Sequence, residues 1–124
     1  MIHGVPLPDG HLRVHRAPGH TVMEFHGEID IAAALTILPT LDATTKPPKT
    51  LLVIDLTPTT FLDCSGLALL CRARTRLEER DGTLLLVCPH PLTLRMLRIL
   101  GLTARLRPSP TLEDALRGHL RAAG

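Results

Sequence analysis

Residues Leu51–Leu56, LLVIDL, form a short apolar run bounded by Pro48 and Pro58. A run this short, built of Leu, Val and Ile, predicts a strand buried on both faces, the kind found in parallel sheets covered by helices. After the polar turn at Pro58 the pattern changes. Leu67, Leu70, Ala73 and Leu77 recur at steps of three and four, with Arg72, Arg76, Glu78 and Glu79 between them, which predicts an amphipathic helix. The centre of the chain is therefore a strand, a loop and a helix N-terminus. Asp63, Cys64 and Ser65 sit where unsatisfied N–H groups and the positive end of the helix dipole gather.

The flanking sequence extends this pattern. His11–Ala17 and Thr21–His26 alternate apolar and polar residues around the Pro18-Gly19 turn signal and predict a β-hairpin. Gly27-Glu28-Ile29 ends that strand, and Asp30 is a candidate N-cap for a helix through Ala32, Leu35, Ile37, Leu38 and Leu41, with an irregularity or a bend expected at Pro39. Beyond the central helix, Asp81-Gly82 stops the run, and Thr83–Cys88 reads as another apolar strand. Leu92–Leu100 reads as a helix with Gly101 as its C-terminal signal. Thr103–Leu106 reads as a short edge strand, and Thr111–Arg121 as a final helix with Leu112, Ala115, Leu116 and either His119 or Leu120 turned inward. The predicted order is β-β-α-β-α-β-α-β-α. Its strand–helix–strand units imply an α/β fold with a mixed sheet of about four or five strands and about four helices packed against it. Residues 1–10 read as an irregular lead-in and 11–124 as a single domain.

Composition narrows the functional classes. The net charge of +2 and the absence of Trp and Tyr leave neither a basic face nor stacking platforms for nucleic acid. The arginines, 12 against 2 lysines, are dispersed. Cys64, Cys71 and Cys88 have no metal-ligand spacing, and Cys71 and Cys88 read as small core residues. An odd cysteine count without a secretory pattern at the N-terminus points to reduced thiols in a cytoplasm. No apolar run approaches the roughly 20 residues that span a bilayer. The seven histidines are scattered, and His11 and His15, on a predicted strand, do not form a helical metal pair. Neither a metal nor a cofactor is expected.

Gly27-Glu28-Ile29-Asp30 resembles the G-E-L-D element of STAS domains. Leu52-Val53-Ile54-Asp55-Leu56, followed by Phe61-Leu62-Asp63-Cys64-Ser65-Gly66-Leu67, is similar to that family's strand and phosphoacceptor loop. Arg95-Met96-Leu97 with Leu100-Gly101-Leu102 is similar to its third helix. The resemblance runs from about His11 to Arg121 and is nearest to the bacterial anti-anti-sigma factors, or anti-sigma factor antagonists. It implies a non-enzymatic binding module. In that family the unphosphorylated domain binds an anti-sigma factor that is also a serine kinase, and so regulates transcription by partner switching. Phosphorylation at the start of the central helix abolishes binding.

One position departs from the family pattern. The usual acceptor is a Ser directly after the Asp of the loop, and here that position is Cys64. Ser65 becomes the candidate acceptor, and Asp30, Asp63, Cys64, Ser65 and Gly66 the candidate partner contacts. Each also has a local reading. Ser65 would cap the helix, with Gly66 allowing a tight turn; Asp63 would favour the helix N-terminus; Asp30 would cap the preceding helix; Asp55 would hydrogen-bond a nearby loop. Two other functions compete: a STAS subunit of a larger stress-sensing or lipid-transport assembly, and a thiol sensor centred on Cys64. Against the latter, no Cys-x5-Arg phosphate loop is present, because Leu70 occupies the Arg position.

Overall fold

Alternation along the central strand, β5 (Leu51–Asp55), sorts the molecule into layers. Val53 and Ile54 point to opposite faces and both are completely buried, as a two-faced strand requires. The computed structural model describes residues 3–6 and 10–123. Its main sheet has five strands in the order β1-β2-β3-β5-β7, where β1 is His3–Pro6, β2 Leu12–Ala17, β3 His20–Phe25 and β7 Thr83–Val87. The β1–β2 and β2–β3 pairs are antiparallel, and the β3–β5 and β5–β7 pairs parallel.

On one face Met23, Phe25, Leu52, Ile54, Leu84 and Leu86 pack into the main core beneath α1 (Ile31–Thr44) and α2 (Cys64–Glu78). Leu97 of α3 (Pro91–Ile99) and Leu106 of α4 (Thr103–Leu106) complete that core. On the other face Val22, Val53 and Val87 meet Ala115 of α5 (Leu112–Ala123), with Leu112 and Leu116 beside it. Leu120 is turned outward and 70% exposed.

Four expectations are corrected. The lead-in holds β1, with Val5 opposite Val14; Pro6 is tolerated because β1 is an edge strand. Gly27–Ile29 is not merely a strand end but β4, and Thr59–Leu62, expected to lie in a loop, is β6. These two short strands pair in parallel as a separate small sheet. Thr103–Leu106 is one helical turn, α4, rather than an edge strand. The Leu106 and Arg107 N–H groups donate to the Leu102 and Thr103 carbonyls at 2.9 and 2.8 Å. The edge position beside β7 is taken in part by Ser109, which bridges Val87. At Pro39, where an irregularity or a bend is expected, α1 is not interrupted; the carbonyl that loses its donor there belongs to Leu35, an exposed residue.

The small sheet is what positions the loops. Gly27, at φ +77°, jogs the chain out of β3, and its N–H donates to the Pro58 carbonyl at 3.1 Å. Buried Thr59 donates its hydroxyl to the Phe25 carbonyl at 2.7 Å. In consequence β3 continues into β4 and α1, and β5 into β6 and α2, side by side.

Candidate functional site

In β4 and β6, Ile29 lies opposite Leu62. The residues that follow, Asp30 and Asp63, therefore stand next to each other at the C-terminal end of the parallel strands. Asp63 N–H donates to the Ile29 carbonyl at 3.3 Å. Both aspartates have the same backbone, φ −94° with ψ −171° and −169°, and both are N-caps. Asp30 Oδ1 accepts from Ala33 N–H at 3.0 Å. Asp63 Oδ1 accepts from Ser65 and Gly66 N–H at 2.8 and 3.2 Å. Two capped helix N-termini thus lie side by side, each carboxylate satisfying donors at a positive dipole end.

This arrangement revises the local readings of the loop. The cap of α2 is Asp63; Cys64 and Ser65 are already helical, so Ser65 is not the cap. Gly66 lies inside the helix without a positive φ, so a tight turn is not its role. A Cβ there would stand 2.7 Å from Leu62 Cγ and 3.2 Å from Ile29 Cγ2. Gly66 is buried, and its missing side chain lets Leu62 and Ile29 pack close against the first turn of α2. Asp55 does hold a nearby loop: its Oδ1 accepts from Thr57 N–H at 2.9 Å and from the Thr57 hydroxyl at 2.6 Å. The same loop is fixed from the other side by His90, whose Nε2 lies 2.8 Å from the Leu56 carbonyl.

Around these caps the surface is partly open. Asp30 and Cys64 are exposed, Asp63 and Ser65 half-buried. Neither the Cys64 thiol nor the Ser65 hydroxyl has a hydrogen-bond partner among the described residues. Ser65 lines a shallow groove of about 280 Å³ between α1 and α2, with Ile31, Leu35, Leu38, Leu69 and Arg72. Ile31 and Leu35 are 66% and 65% exposed. The serine is therefore at the rim of an apolar groove whose walls are the two capped helices. The sequence reading missed this groove, although Ile31 and Leu35 carried a signal. They are i, i+4 neighbours displaced from the Ala33–Ile37–Leu41 stripe that faces the core.

The far end of the two helices is fixed by charge. Arg72 grips Asp42 with two bonds, Nε to Oδ1 at 2.7 Å and Nη2 to Oδ2 at 2.8 Å. Arg76 Nε donates to the Thr45 hydroxyl at 2.8 Å. The Arg72 hydrogen bond and charge hold the Asp42 carboxyl below its ordinary range, against the opposing effect of burial. On the opposite face of β3, burial tends to raise the Glu24 carboxyl. His26, hydrogen-bonded at 2.9 Å, and His15, 2.9 Å away, more than offset it. Cys88 is buried, and that burial pushes its thiol pKa up. Cys71 is half-buried. Among the described residues no three His, Cys, Asp or Glu side chains converge on a point that would hold a metal.

A family model described as the STAS domain matches residues 11–115. Among solved structures, an anti-sigma factor antagonist from Mycobacterium paratuberculosis is 32% identical, with a TM-score of 0.77 over 92% of this chain and 97% of that one. The phosphorylated form of the Bacillus cell fate determinant SpoIIAA is 20% identical, with a TM-score of 0.65 over 86% of this chain and 96% of that one. A sulfate transporter family protein from Wolinella succinogenes is 21% identical, with a TM-score of 0.66 over 77% of this chain and 80% of that one. These last two share the fold. No curated protein matches the chain. Among the described residues no helix is long and apolar enough to cross a membrane.

Proposed function

The chain belongs to the STAS domain family, and on that premise we propose that it is an anti-sigma factor antagonist, a binding module rather than an enzyme. The observation that carries this reading is the Asp63-capped start of α2, where Cys64 and Ser65 are presented beside the exposed apolar residues of α1. The likeness at 32% identity to an anti-sigma factor antagonist over nearly the whole chain supports it. The partner is a serine-kinase anti-sigma factor, which lays an apolar surface across Ile31 and Leu35 and contacts Asp30, Asp63, Cys64 and Ser65.

A phosphate on Ser65 would add about two negative charges next to Asp63 and close to Asp30. The helix N-terminus tolerates an anion, but its nearest donors, the Ser65 and Gly66 N–H groups, are already used by Asp63. The added charge would face a partner packed on apolar surface, so binding is lost without a change of fold. Cys64 makes the switch sluggish. Its sulfur occupies the usual acceptor position and does not take the γ-phosphate as a serine oxygen would.

The test is to incubate wild type, Cys64→Ser, Ser65→Ala and the double variant with the cognate kinase and ATP, and to read each by intact mass. Slow or no phosphate on wild type, and ready phosphorylation of Cys64→Ser, are expected. Phosphate on wild type that survives in Ser65→Ala would place the acceptor elsewhere and end the assignment of this loop. A pull-down that returns a transport complex instead of a kinase-like ATPase would favour the subunit reading.

A further inference from the structure

Helix α3 is apolar on two sides, and the core uses only one of them. In its sequence, PLTLRMLRI, Leu97 is completely buried in the main core, and Leu94 and Met96 pack partly against it. Leu92, Met96 and Ile99, at i, i+4 and i+7, share a second side. Leu100, the C-cap, extends that side four residues beyond Met96. Leu92, Ile99 and Leu100 are 80%, 72% and 54% exposed, so they stand on a ridge rather than in a groove. A single exposed leucine is ordinary on a protein surface, whereas several adjoining on one short helix mark a contact.

The charge of this part of the chain has one sign. Residues 82–111 hold Arg95, Arg98, Arg105 and Arg107 and no Asp or Glu. Arg105 is engaged, donating to the Thr75 hydroxyl at 2.9 Å and lying 3.8 Å from Glu78. Arg95 and Arg98, three residues apart on one flank of the ridge, are exposed, and neither side chain has a hydrogen bond or ion pair among the described residues. A second copy of the chain docking two-fold on this face would bring the same patch against itself, arginine toward arginine, with no carboxylate on the segment to neutralise them. Nucleic acid would satisfy the arginines and leave the leucines in water. The complement has to be anionic, and it has to take up a convex apolar surface.

We propose that α3 docks on an anionic phospholipid bilayer, with Leu92, Met96 and Ile99 set into the boundary of the acyl chains and Arg95 and Arg98 on the phosphate headgroups. Interfacial amphipathic helices combine apolar and cationic sides in this way. A headgroup layer moulds itself around a ridge, whereas a protein would need a matching groove rimmed with carboxylates. The helix has nine residues and is about 13 Å long, so the contact is shallow and reversible and the domain lies on the membrane rather than across it. None of the α3 residues lines the groove around Ser65, so this face is separate from the proposed anti-sigma contact and stands without it.

The experiment sediments the full chain with vesicles of equal parts phosphatidylglycerol and phosphatidylcholine, and with vesicles of phosphatidylcholine alone. Saturable binding to the first, weakened by salt, and at most a trace on the second are expected. Arg95→Gln and Arg98→Gln should each lower the partition coefficient about fivefold. Leu92→Ser combined with Ile99→Ser should remove binding. Leu120→Ser and Arg117→Gln, on α5, should leave it unchanged. These positions are all exposed, and circular dichroism checks that each variant keeps its fold. Equal binding to both vesicles, undiminished binding of the Leu92 and Ile99 double variant, or an equal loss in the α5 variants would overturn the proposal. Absence of binding to the anionic vesicles at low salt would overturn it in favour of an acidic protein partner, and a dimer in solution broken by the double variant would overturn it in favour of a second copy.

Discussion

Replacing Gly66 with Ala tests how tightly the loop is held. The added methyl would sit 2.7 Å from Leu62 Cγ and 3.2 Å from Ile29 Cγ2, and both partners are buried, at 2% and 0% exposure. Leu62 and Ile29 end β6 and β4 and directly precede the caps Asp63 and Asp30, so neither can move without shifting a cap. Overpacking of this kind costs about 1–3 kcal/mol. Alanine recovers about 0.5–1 kcal/mol over glycine in a helix. The net expectation is a loss of about 1 kcal/mol, with an upper bound of about 2.5 kcal/mol, and for a chain of 124 residues each kcal/mol lowers Tm by about 3–6 °C. The control is Gly118→Ala in α5, where a Cβ meets open space and the same propensity term should raise stability by about 0.5–1 kcal/mol. Urea denaturation of both variants and wild type gives the two differences. If Gly66→Ala were as stable as wild type or more so, the close approach of α2 to the small sheet would not be the reason for glycine there.

Other perturbations separate the layers of the account. Ile54→Ala, at a fully buried position, should cost about 2–5 kcal/mol in urea denaturation. Asp63→Ala removes the acceptor of two N–H groups and should cost about 1 kcal/mol, with Asp63→Asn losing much less; equal losses would mean that charge rather than capping matters. The Arg72–Asp42 pair depresses the Asp42 pKa in the folded state. Its contribution is therefore present above the ordinary aspartate pKa, about 3.9, and lost as pH falls through the lower folded value. The stability difference between wild type and Arg72→Gln should shrink across that acid range, and a difference independent of pH would contradict the pairing.

The elements with strong periodicity were legible in the chain. Val53 and Ile54 carried the two-faced strand, and the Leu67–Leu77 stripe carried α2, because burial dictates residue type at every step. Asp30 was legible as a cap because an Asp directly precedes the helical pattern. What escaped is short or decided by distant contacts. Gly27–Ile29 is three residues long, and β4 exists only because β6 lies beside it. Thr103 and Leu106 suggested a strand, yet the turn at Gly101, φ +72°, and burial of Leu106 against the core make a helical turn instead. Serine is a good cap in general, but Asp63, two residues earlier, already caps α2, accepting from the Ser65 and Gly66 N–H groups, so Ser65 lies inside the first turn. Gly66 reads from the sequence as the residue of a tight turn, and only the positions of Leu62 and Ile29 show that its missing side chain is a packing requirement.

The claim that the Asp63–Ser65 loop and the neighbouring α1 surface form the partner contact is tested most directly by titration calorimetry of the unphosphorylated chain against its cognate serine-kinase anti-sigma factor. Wild type should bind in a defined stoichiometry. Ser65→Asp, which puts a carboxylate beside Asp63 on the apolar groove, should bind far more weakly while its melting temperature stays close to wild type. Binding of Ser65→Asp as tight as wild type would contradict the account and remove this loop from the interface.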